Sequence, residues 1–478
     1  MKPDNLRQLL VFAADKAQMA PFSAARFKLL FEASLDILRS LGASQDLLDS
    51  KSIEAYSAPS ADLRSYDPAG RARDLMPSNL VISYRFTSLT ALQAFRAFLD
   101  ALLRDGRIGS AMSLKNFGAD PRAFVTCSTF PVMRLGSTGT RAGARRSLRA
   151  SALAAKGLRG KAVNVVIIDR GLNREALIRN HANCWGGGLA PTDIEPGSAP
   201  ITSHGMLVAR NILDIAPEAT LYDVPLIPSH ILHPECFASD ASAIFEAVLH
   251  RIRESREQNG ADEAWILVNA WGTYDRSSEW PIGDYTENRH VRYGRDPSGN
   301  PVLVLGHPLN NLMQSAIDQG VDVVFAAGNC GQFSLDPRCR GLDRGARHSI
   351  WGANGHSAVI TVGAASPGEG WMGYSAQGPL SWADAKKPDL CAPSQFCEQY
   401  DAARLNTGTS TATALAAGVV AAIRSNRQSN WGPIALPPPR LKEAMIAAAR
   451  GQGGVWNGRT GYGMLDAGSL ISQLDDVG

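Results

Sequence analysis

Four residues with side chains suited to acyl transfer stand in separate short motifs of the sequence. Asp169 lies in IIDRG, His204 in SHGMLVA, Asn329 in AAGN and Ser410 in GTSTATALAAG. A serine hydroxyl is a poor nucleophile at neutral pH unless an imidazole accepts its proton, and the imidazole needs a carboxylate to fix its tautomer. An asparagine amide can donate a hydrogen bond to the oxyanion that forms. The four residue types therefore match the parts of a nucleophilic hydrolase.

Each motif falls where a predicted strand ends or a predicted helix begins. Taken singly, each residue has a structural explanation as a turn or capping residue. The continuous apolar runs predict strands at 163–168, 220–225, 265–268 and 321–327, and helical spacing predicts helices at 241–252 and 309–317. This alternation predicts a parallel sheet covered by helices on both faces. Ligands of such sheets bind beyond the carboxyl ends of the strands, so we expect the four side chains to meet there.

In the order Asp, His, Asn, Ser, the motifs resemble those of the subtilisin-like serine protease family. HGMLVA is similar to the family pattern HGxxVA, and GTSTATALAAG is similar to GTSxAxxxxAG. Further matches are YSAQGP at 374–379, KPDLCAPS at 387–394 and GYGMLDA at 461–467. The resemblance covers about residues 160–470. It implies an α/β fold: a subtilisin-like three-layer domain with a mostly parallel central sheet.

The resemblance also implies a role for each residue. Ser410 would attack a peptide carbonyl, and His204 would serve as general base and then acid. Asp169 would orient the imidazole, while Asn329 and the N–H of Ser410 would hold the oxyanion. The implied substrate-binding residues are Asn269, Ala270, Trp271, Gly272 and Gly328. This segment departs from the family pattern, because it lacks the usual serine before the large Trp271.

These features predict a serine endopeptidase that hydrolyses protein or peptide substrates, with regulated or narrow specificity. A catalytically silent binding protein of the same fold and an ester or lipid hydrolase are the alternatives. The charges nearly cancel, with 48 Lys plus Arg against 45 Asp plus Glu, so no strong field favours a nucleic-acid partner. The uncharged run at 405–423 is interpreted as a loop entering a buried helix, so no membrane partner is expected.

Cysteine usage and the N-terminus bear on the cellular compartment. The seven cysteines are scattered without a CxxC pair, which argues against a zinc site or a dense disulfide framework. The N-terminus lacks a signal-peptide core, so a reduced, cytoplasmic chain is predicted. No cofactor is expected. Structural calcium rests on the family resemblance alone, because no DxDxDG-type loop is present.

The chain is predicted to divide into three parts. Residues 1–135 are predicted to be a small α+β domain, with helices at 5–45 and 88–104 and strands at 79–86 and 123–130. Residues 136–160 are basic and lack acids, which indicates a solvated linker, a cleavage-prone junction or a patch for an anionic partner. Residues 161–478 form the predicted peptidase domain.

Two features leave their roles open. The N-terminal domain is compatible with a propeptide or inhibitor, and equally with a retained domain that binds a regulatory protein. The polar stretch between Trp271 and Leu309 is longer than the simplest family members need. It could restrict access to the cleft, select a substrate or form a surface loop without function. A second polar insertion spans 330–353.

Overall fold

The protein folds around two β-sheets of unequal size. A computed structural model describes residues 6–13, 24–49, 52–57, 63–75, 79–109, 113–120, 136–191, 194–226, 237–272, 276, 279–289, 294–295, 301–302, 306–337, 339, 341–381, 385–398, 401–426 and 431–477. The smaller sheet is built only from N-terminal strands, whereas the larger sheet runs through the rest of the chain and includes one N-terminal hairpin.

The elements follow one another in a β-rich N-terminal part and an alternating β/α remainder. The strands are β1 (Arg7–Ala13), β2 (Ile53–Ser57), β3 (Leu63–Tyr66), β4 (Ala72–Asp74), β5 (Asn79–Phe86), β6 (Leu114–Ala119), β7 (Val163–Asp169), β8 (Trp185–Pro191), β9 (Thr220–Pro225), β10 (Ala264–Asn269), β11 (Gly294–Arg295), β12 (Pro301–Val302), β13 (Asp322–Ala326), β14 (Ile360–Ala365), β15 (Leu390–Pro393), β16 (Phe396–Glu398), β17 (Asp401–Asn406), β18 (Arg450–Gly451) and β19 (Gly463–Met464). The helices are α1 (Ala24–Ser40), α2 (Leu89–Arg104), α3 (Arg141–Ser147), α4 (Ser151–Ala155), α5 (Arg174–Asn180), α6 (His204–Ile215), α7 (Phe237–Asn259), α8 (Pro308–Asp318), α9 (Gly408–Arg424), α10 (Pro438–Ala447) and α11 (Ala467–Val477).

The smaller sheet has the strand order β2-β5-β1-β6. Helix α2 places Leu92, Phe95 and Leu99 in one buried cluster with residues of this sheet, which confirms the predicted α+β pattern there. The helix predicted from residue 5 onward is wrong at its start, because β1 pairs with both β5 and β6. Local helical spacing cannot detect this tertiary pairing. The strand predicted at 123–130 lies outside the described residues.

The larger sheet has the order β18-β19-β15-β14-β13-β10-β7-β9-β8-β3-β4. From β19 to β8 every neighbouring pair is parallel, as the alternating pattern predicts. Side chains of β7 alternate between two cores: Val165 and Ile167 join the cluster around α6 and α9, whereas Val166 and Ile168 join the cluster around α7 and α8. Both faces are therefore buried, and the predicted three-layer α/β fold is confirmed.

Helix α9 passes through the centre of one core. Its seventeen residues are all buried, which confirms that the uncharged run at 405–423 enters a buried helix. A Cβ built on Gly418 would lie 2.8 Å from the Cβ of Ile215, so the glycine permits the close packing of α9 on α6. Among the described helices, none has the length and apolar character needed to cross a membrane.

The segment 136–160, interpreted from sequence as a basic linker, is structured. It contains α3 and α4, and buries Leu148 and Leu153 in the core around α6 and α9. Arg141 pairs with Glu398 at 2.5 Å and with Asp214 at 3.1 Å. Arg145, Arg149, Lys156 and Arg159 pair with Asp214, Asp466, Asp475 and Glu218, respectively. The segment is basic because its acidic partners lie elsewhere in the chain, so it is neither a solvated linker nor an unmatched patch for an anion.

The sulfur chemistry also differs from the sequence prediction. Cys330 and Cys339 form a disulfide, whereas Cys184, Cys391 and Cys397 are free. The predicted fully reduced chain is therefore not what the structure contains. The bond closes the start of the second polar insertion directly after Asn329. Spacing did not reveal it, because the two cysteines are nine positions apart in the sequence and no recognised motif joins them.

Candidate active site

The four predicted residues converge at the carboxyl edge of the larger sheet. Asp169 is the last residue of β7, His204 is the first residue of α6, and Ser410 lies in the first turn of α9. Asn329 follows β13, the strand two positions from β7 in the sheet. Their exposed fractions are 0% for Asp169, 1% for His204, 2% for Asn329 and 3% for Ser410. All four side chains are therefore withdrawn from bulk water.

Asp169 and His204 make a close, bifurcated contact. The Nδ1 atom of His204 lies 2.8 Å from Oδ1 and 2.9 Å from Oδ2 of Asp169. The backbone N–H of Arg170 donates to the same Oδ1 at 2.7 Å, which fixes the carboxylate. With the proton on Nδ1 facing the carboxylate, Nε2 carries the lone pair and can accept a proton. The pair thus has the arrangement of an oriented general base.

Ser203 joins the two elements that carry this pair, and it is a residue that the sequence analysis missed. Its hydroxyl donates to the carbonyl of Gly171 at 2.7 Å and accepts from the N–H of Met206 at 3.2 Å. It therefore caps α6 and ties the start of that helix to the loop after Asp169. A Cβ built on Gly205 would lie 2.5 Å from the Gly171 carbonyl oxygen, so only glycine fits there. A serine directly before the start of a predicted helix was the available sequence signal.

Asp223 supports the same loop from β9 and was also missed. Its Oδ2 atom accepts from the N–H of Leu172 at 3.0 Å and from the N–H of Gly197 at 2.8 Å. Burial raises the pKa of this carboxyl from its usual 3.8 to about 7, and the negative charge of Asp169 acts in the same direction. The opposing effect of the two N–H donors is smaller. Asp223 therefore positions the turn that follows Asp169.

Ser410 is close to the substrate-binding segment predicted at 269–272. Its Oγ donates to the carbonyl oxygen of Ala270 at 2.8 Å. Within the described residues, no hydrogen bond joins Ser410 Oγ to the imidazole of His204. The hydroxyl must therefore turn from Ala270 towards Nε2 before it can transfer its proton.

The amide of Asn329 is oriented by the start of α9. Its Oδ1 atom accepts from the N–H and from the hydroxyl of Thr409, both at 3.0 Å. The Thr409 hydroxyl in turn accepts from the N–H of Gly328 at 3.1 Å. A Cβ built on Gly408 would lie 3.3 Å from Asn329 Nδ2 and 3.6 Å from Oδ1, so a glycine at this position leaves room for the amide. Gly408 has φ +80°, which also favours glycine.

The motifs at 374–379 and 387–394 hold the beginning of α9 in place. The Tyr374 hydroxyl accepts from the N–H of Gly408 at 3.3 Å and is hydrogen-bonded to Ser394 at 2.8 Å. Ser394 also donates to the Gly408 carbonyl at 2.8 Å. Burial raises the pKa of Tyr374 to about 12, so its hydroxyl remains neutral at physiological pH. These distant motifs therefore fix the backbone beside Ser410.

The other predicted substrate-binding residues have different environments. The side chain of Trp271 is 0% exposed and packs edge-on against Phe237 and Phe325, so it belongs to the core and does not line a cleft. Its carbonyl accepts from Asn354 Nδ2 at 2.6 Å, a contact that the sequence did not predict. The Asn269 amide is fully buried and has no hydrogen-bond partner among the described residues.

Gly272 is buried next to Trp271, and Gly328 has φ +105° at the approach to Asn329. A Cβ on Gly328 would lie 3.5 Å from the Ser349 carbonyl oxygen. The described part of the chain contains no group of three or more His, Cys, Asp or Glu side chains arranged to hold a metal ion.

One family model and several solved structures match this chain. A family model described as the subtilase family matches residues 160–463. The chain is similar in structure to MycP1 with its N-terminal propeptide removed: identity is 19%, coverage is 69% of this chain and 96% of that chain, and the TM-score is 0.46. A lanthipeptide protease is 18% identical, with coverage of 69% of this chain and 94% of that chain and a TM-score of 0.48. MycP1 from Mycobacterium smegmatis is 17% identical, with coverage of 74% of this chain and 88% of that chain and a TM-score of 0.45. No curated protein matches the chain by sequence.

Proposed function

The chain belongs to the subtilase family of serine proteases, and on this premise we propose that Asp169, His204 and Ser410 are its catalytic triad. The observation that carries the proposal is the contact of His204 Nδ1 with both oxygens of Asp169, at 2.8 and 2.9 Å. This contact selects the tautomer whose Nε2 is a base. It also stabilises the imidazolium that forms when Nε2 accepts a proton.

In the proposed reaction, Ser410 Oγ bonds to the peptide carbonyl carbon while its proton moves to His204 Nε2. His204 then gives that proton to the leaving amine as the C–N bond breaks, which leaves an acyl group on Ser410. A water molecule attacks the acyl carbon, loses a proton to His204, and the proton returns to Ser410 Oγ when the acid is released. These transfers need no metal or other cofactor.

We assign the oxyanion site to Asn329 and to the backbone N–H of Ser410. The hydrogen bonds from Thr409 hold Asn329 Oδ1, and so present its Nδ2 as the donor. A donor fixed before the reaction needs no reorganisation when charge develops on the carbonyl oxygen. The family resemblance and this orientation support the assignment.

The finer part of the proposal is a regulated endopeptidase that acts on protein or peptide substrates. His204 and Ser410 are only 1% and 3% exposed. This low exposure supports restricted access of substrates to the site, and hence regulation. Backbone pairing of the substrate alongside Ala270 and Gly272 would bind an extended peptide by strand addition. The proposed peptidase unit is residues 161–478.

Hydrolysis of internally quenched peptides, compared with simple esters, tests this function. We expect peptides to be cleaved at internal bonds, and we expect Ser410→Ala to abolish that cleavage. Turnover of esters without cleavage of any peptide would favour the ester hydrolase. Binding of a peptide without cleavage in the wild-type chain would favour the catalytically silent alternative.

The cytoplasmic location predicted above can be tested through the Cys330–Cys339 disulfide. Such bonds are rare in cytosolic proteins. Mapping of the thiols in protein alkylated at the moment of cell lysis provides the test. A free Cys330 would support the cytoplasm, and a peptide cross-linked to Cys339 would contradict it.

A further inference from the structure

The N-terminal segment, residues 1–120, contributes strands to both sheets. In the chain, β3 and β4 lie between β2 and β5 of the smaller sheet. They nevertheless leave that sheet and form a hairpin at the edge of the larger one. Strand β3 pairs antiparallel with β8, with Leu63 opposite Pro191 and Tyr66 opposite Gly188. One continuous stretch of chain therefore links the two sheets by backbone hydrogen bonding.

The hairpin also supplies apolar side chains to the core beneath the larger sheet. Leu63 and Leu75 are 3% and 8% exposed, and they belong to the same buried cluster as Ile168 and Leu189. Loss of the hairpin would uncover these side chains and would leave β8 as an unpaired edge. Exposed edge strands with apolar neighbours are prone to pair with other chains. The hairpin therefore completes the peptidase unit.

A second contact joins the smaller sheet to α7. Leu9, Val11 and Val81 form a buried cluster with Ala238 and Ala243 of that helix. At the end of β6, the N–H of Ser239, in the first turn of α7, donates to a carboxylate oxygen of Asp120 at 3.2 Å. The smaller sheet is thus fixed along the helix and at its N-terminal end.

A third contact is a buried ion pair on the polar stretch that follows Gly272. Arg96 lies 3.0 Å from Asp284, with exposed side-chain fractions of 8% and 3%. Asp284 Oδ2 also accepts from the N–H of Ala119 at 2.7 Å, and His307 is hydrogen-bonded to the Ala119 carbonyl at 2.7 Å. Separation of the N-terminal segment would therefore break a buried, charge-assisted contact that joins Arg96 and the Ala119 N–H to Asp284.

One described part of this stretch, 279–289, therefore serves the interface between the two sheets. Trp280 packs against the core of the smaller sheet, and its carbonyl accepts from the Gln8 side chain at 2.9 Å. Glu279 holds the loop by accepting from the N–H groups of Gly283 and Thr286, each at 2.9 Å. The sequence analysis considered restriction of the cleft, substrate selection and a surface loop without function for this stretch. Binding of the N-terminal segment was not among these roles.

From these three contacts we propose that the N-terminal segment is a permanent part of the protease. It is not a detachable propeptide. If the chain is cut between Asp120 and Gly136, residues 1–120 remain bound to residues 136–478 as a two-chain protein. Obligate interfaces are more hydrophobic than transient ones, and here the apolar burial is accompanied by strand pairing and a buried ion pair. The proposal does not depend on the triad assignment, because association is measured without activity.

The test places a recognition sequence for a site-specific protease between Asp120 and Gly136 of the full chain, in the Ser410→Ala background. After complete cutting, the protein is diluted and passed over a size-exclusion column in native buffer. We expect both fragments to elute together at the volume of the uncut chain. Elution of residues 1–120 as a separate species in native buffer would overturn the proposal, whatever the state of the larger fragment.

A pair of hairpin variants locates the cause of the association. Leu63→Glu places a charge in the core, and we expect it to weaken association of the cut fragments at least about tenfold. Arg71→Glu is the matched control, because Arg71 is 83% exposed and, among the described residues, its ion pair is with Asp67 in the hairpin turn. Association unchanged in Leu63→Glu would contradict the role of the hairpin. If Leu63→Glu does not fold, Tyr66→Phe is tested in its place. This variant removes the hydrogen bond to the Ile194 carbonyl at 3.1 Å, and we expect it to weaken association of the cut fragments by a smaller factor than Leu63→Glu.

Discussion

The edge of the larger sheet that carries the proposed triad of Asp169, His204 and Ser410 (the triad edge) buries charged groups. The interface with the N-terminal segment also buries charged groups, but the two regions give them different hydrogen-bond partners. At the triad edge, Asp169 is held by one backbone N–H and by His204, whose other nitrogen remains available for chemistry. At the interface, Arg96 and Asp284 satisfy each other and neighbouring groups. The first arrangement leaves Nε2 of His204 as a proton acceptor, whereas in the second both carboxylate oxygens of Asp284 accept from neighbouring donors. Burial of charge alone therefore does not distinguish a catalytic cluster from a structural one.

The largest expected stability effect comes from breaking the interface pair. Arg96→Leu leaves the Asp284 carboxylate buried without its charge partner, and we expect the free energy of unfolding to fall by about 3–5 kcal/mol. Urea denaturation followed by circular dichroism measures the change. The double variant Arg96→Leu/Asp284→Asn should recover most of the loss, because the amide still accepts from Ala119 without a buried charge.

Arg39→Leu is the exposed control for this prediction. Arg39 pairs with Asp36 within one helix and is 39% exposed, so we expect a loss below about 1 kcal/mol. Equal losses of unfolding free energy in Arg96→Leu and Arg39→Leu would show that burial does not increase the contribution of the interface pair to stability.

The next effect concerns turnover at the triad edge. We expect Asn329→Ala to lower kcat by about 10²–10³, a magnitude known from the oxyanion donor of a subtilisin, with little change in KM. Thr409→Val removes the hydroxyl that orients Asn329 Oδ1 and should lower kcat less, by about tenfold. Steady-state kinetics on a peptide substrate measures both. If Thr409→Val instead raised KM at constant kcat, the proposed orientation of the amide would be wrong.

The smallest expected effect is the pH dependence contributed by Asp223. Its pKa is raised from 3.8 to about 7, mainly by burial. Between these values the folded protein retains a proton that the unfolded chain has lost, so the free energy of unfolding falls as pH rises from about 4 to about 7. Asp223→Asn should reduce this slope by at most about 1.4 kcal/mol per pH unit.

The asparagine variant suits the site, because its Oδ1 can accept from Leu172 and Gly197 as the carboxylate does. Denaturation midpoints of both proteins from pH 4 to pH 8 test the prediction. A steeper slope in Asp223→Asn than in the wild type would contradict the direction of the shift.

The same comparison explains what the sequence could predict. The triad edge was predicted because each residue follows a strand or begins a helix, so local patterns place it at one edge of a parallel sheet. Strand β9 was predicted at its observed bounds, and β7 to within one residue. The supporting residues Ser203 and Asp223 were missed, because a capping serine and a buried aspartate look ordinary in sequence.

The interface could not be predicted for a physical reason. Strand β3 is only four residues long, and its partner β8 is rich in glycine and far along the chain. Neither has the apolar alternation that marks a strand. Likewise, the charges of 136–160 seemed unmatched, because their acidic partners come from distant elements. Local sequence patterns therefore do not predict the pairing of short or polar segments that are far apart in the chain.

The central claim is that His204, oriented by Asp169, activates Ser410. Labelling with a fluorophosphonate tests it most directly, applied to the intact chain and to the chain cut between Asp120 and Gly136, with the modified residue identified by mass spectrometry. Circular dichroism of each variant controls for folding. The account predicts an adduct on Ser410 that is absent in Ser410→Ala and lost in His204→Ala. No adduct on Ser410 in either form, or labelling of His204→Ala at the wild-type rate, would contradict it.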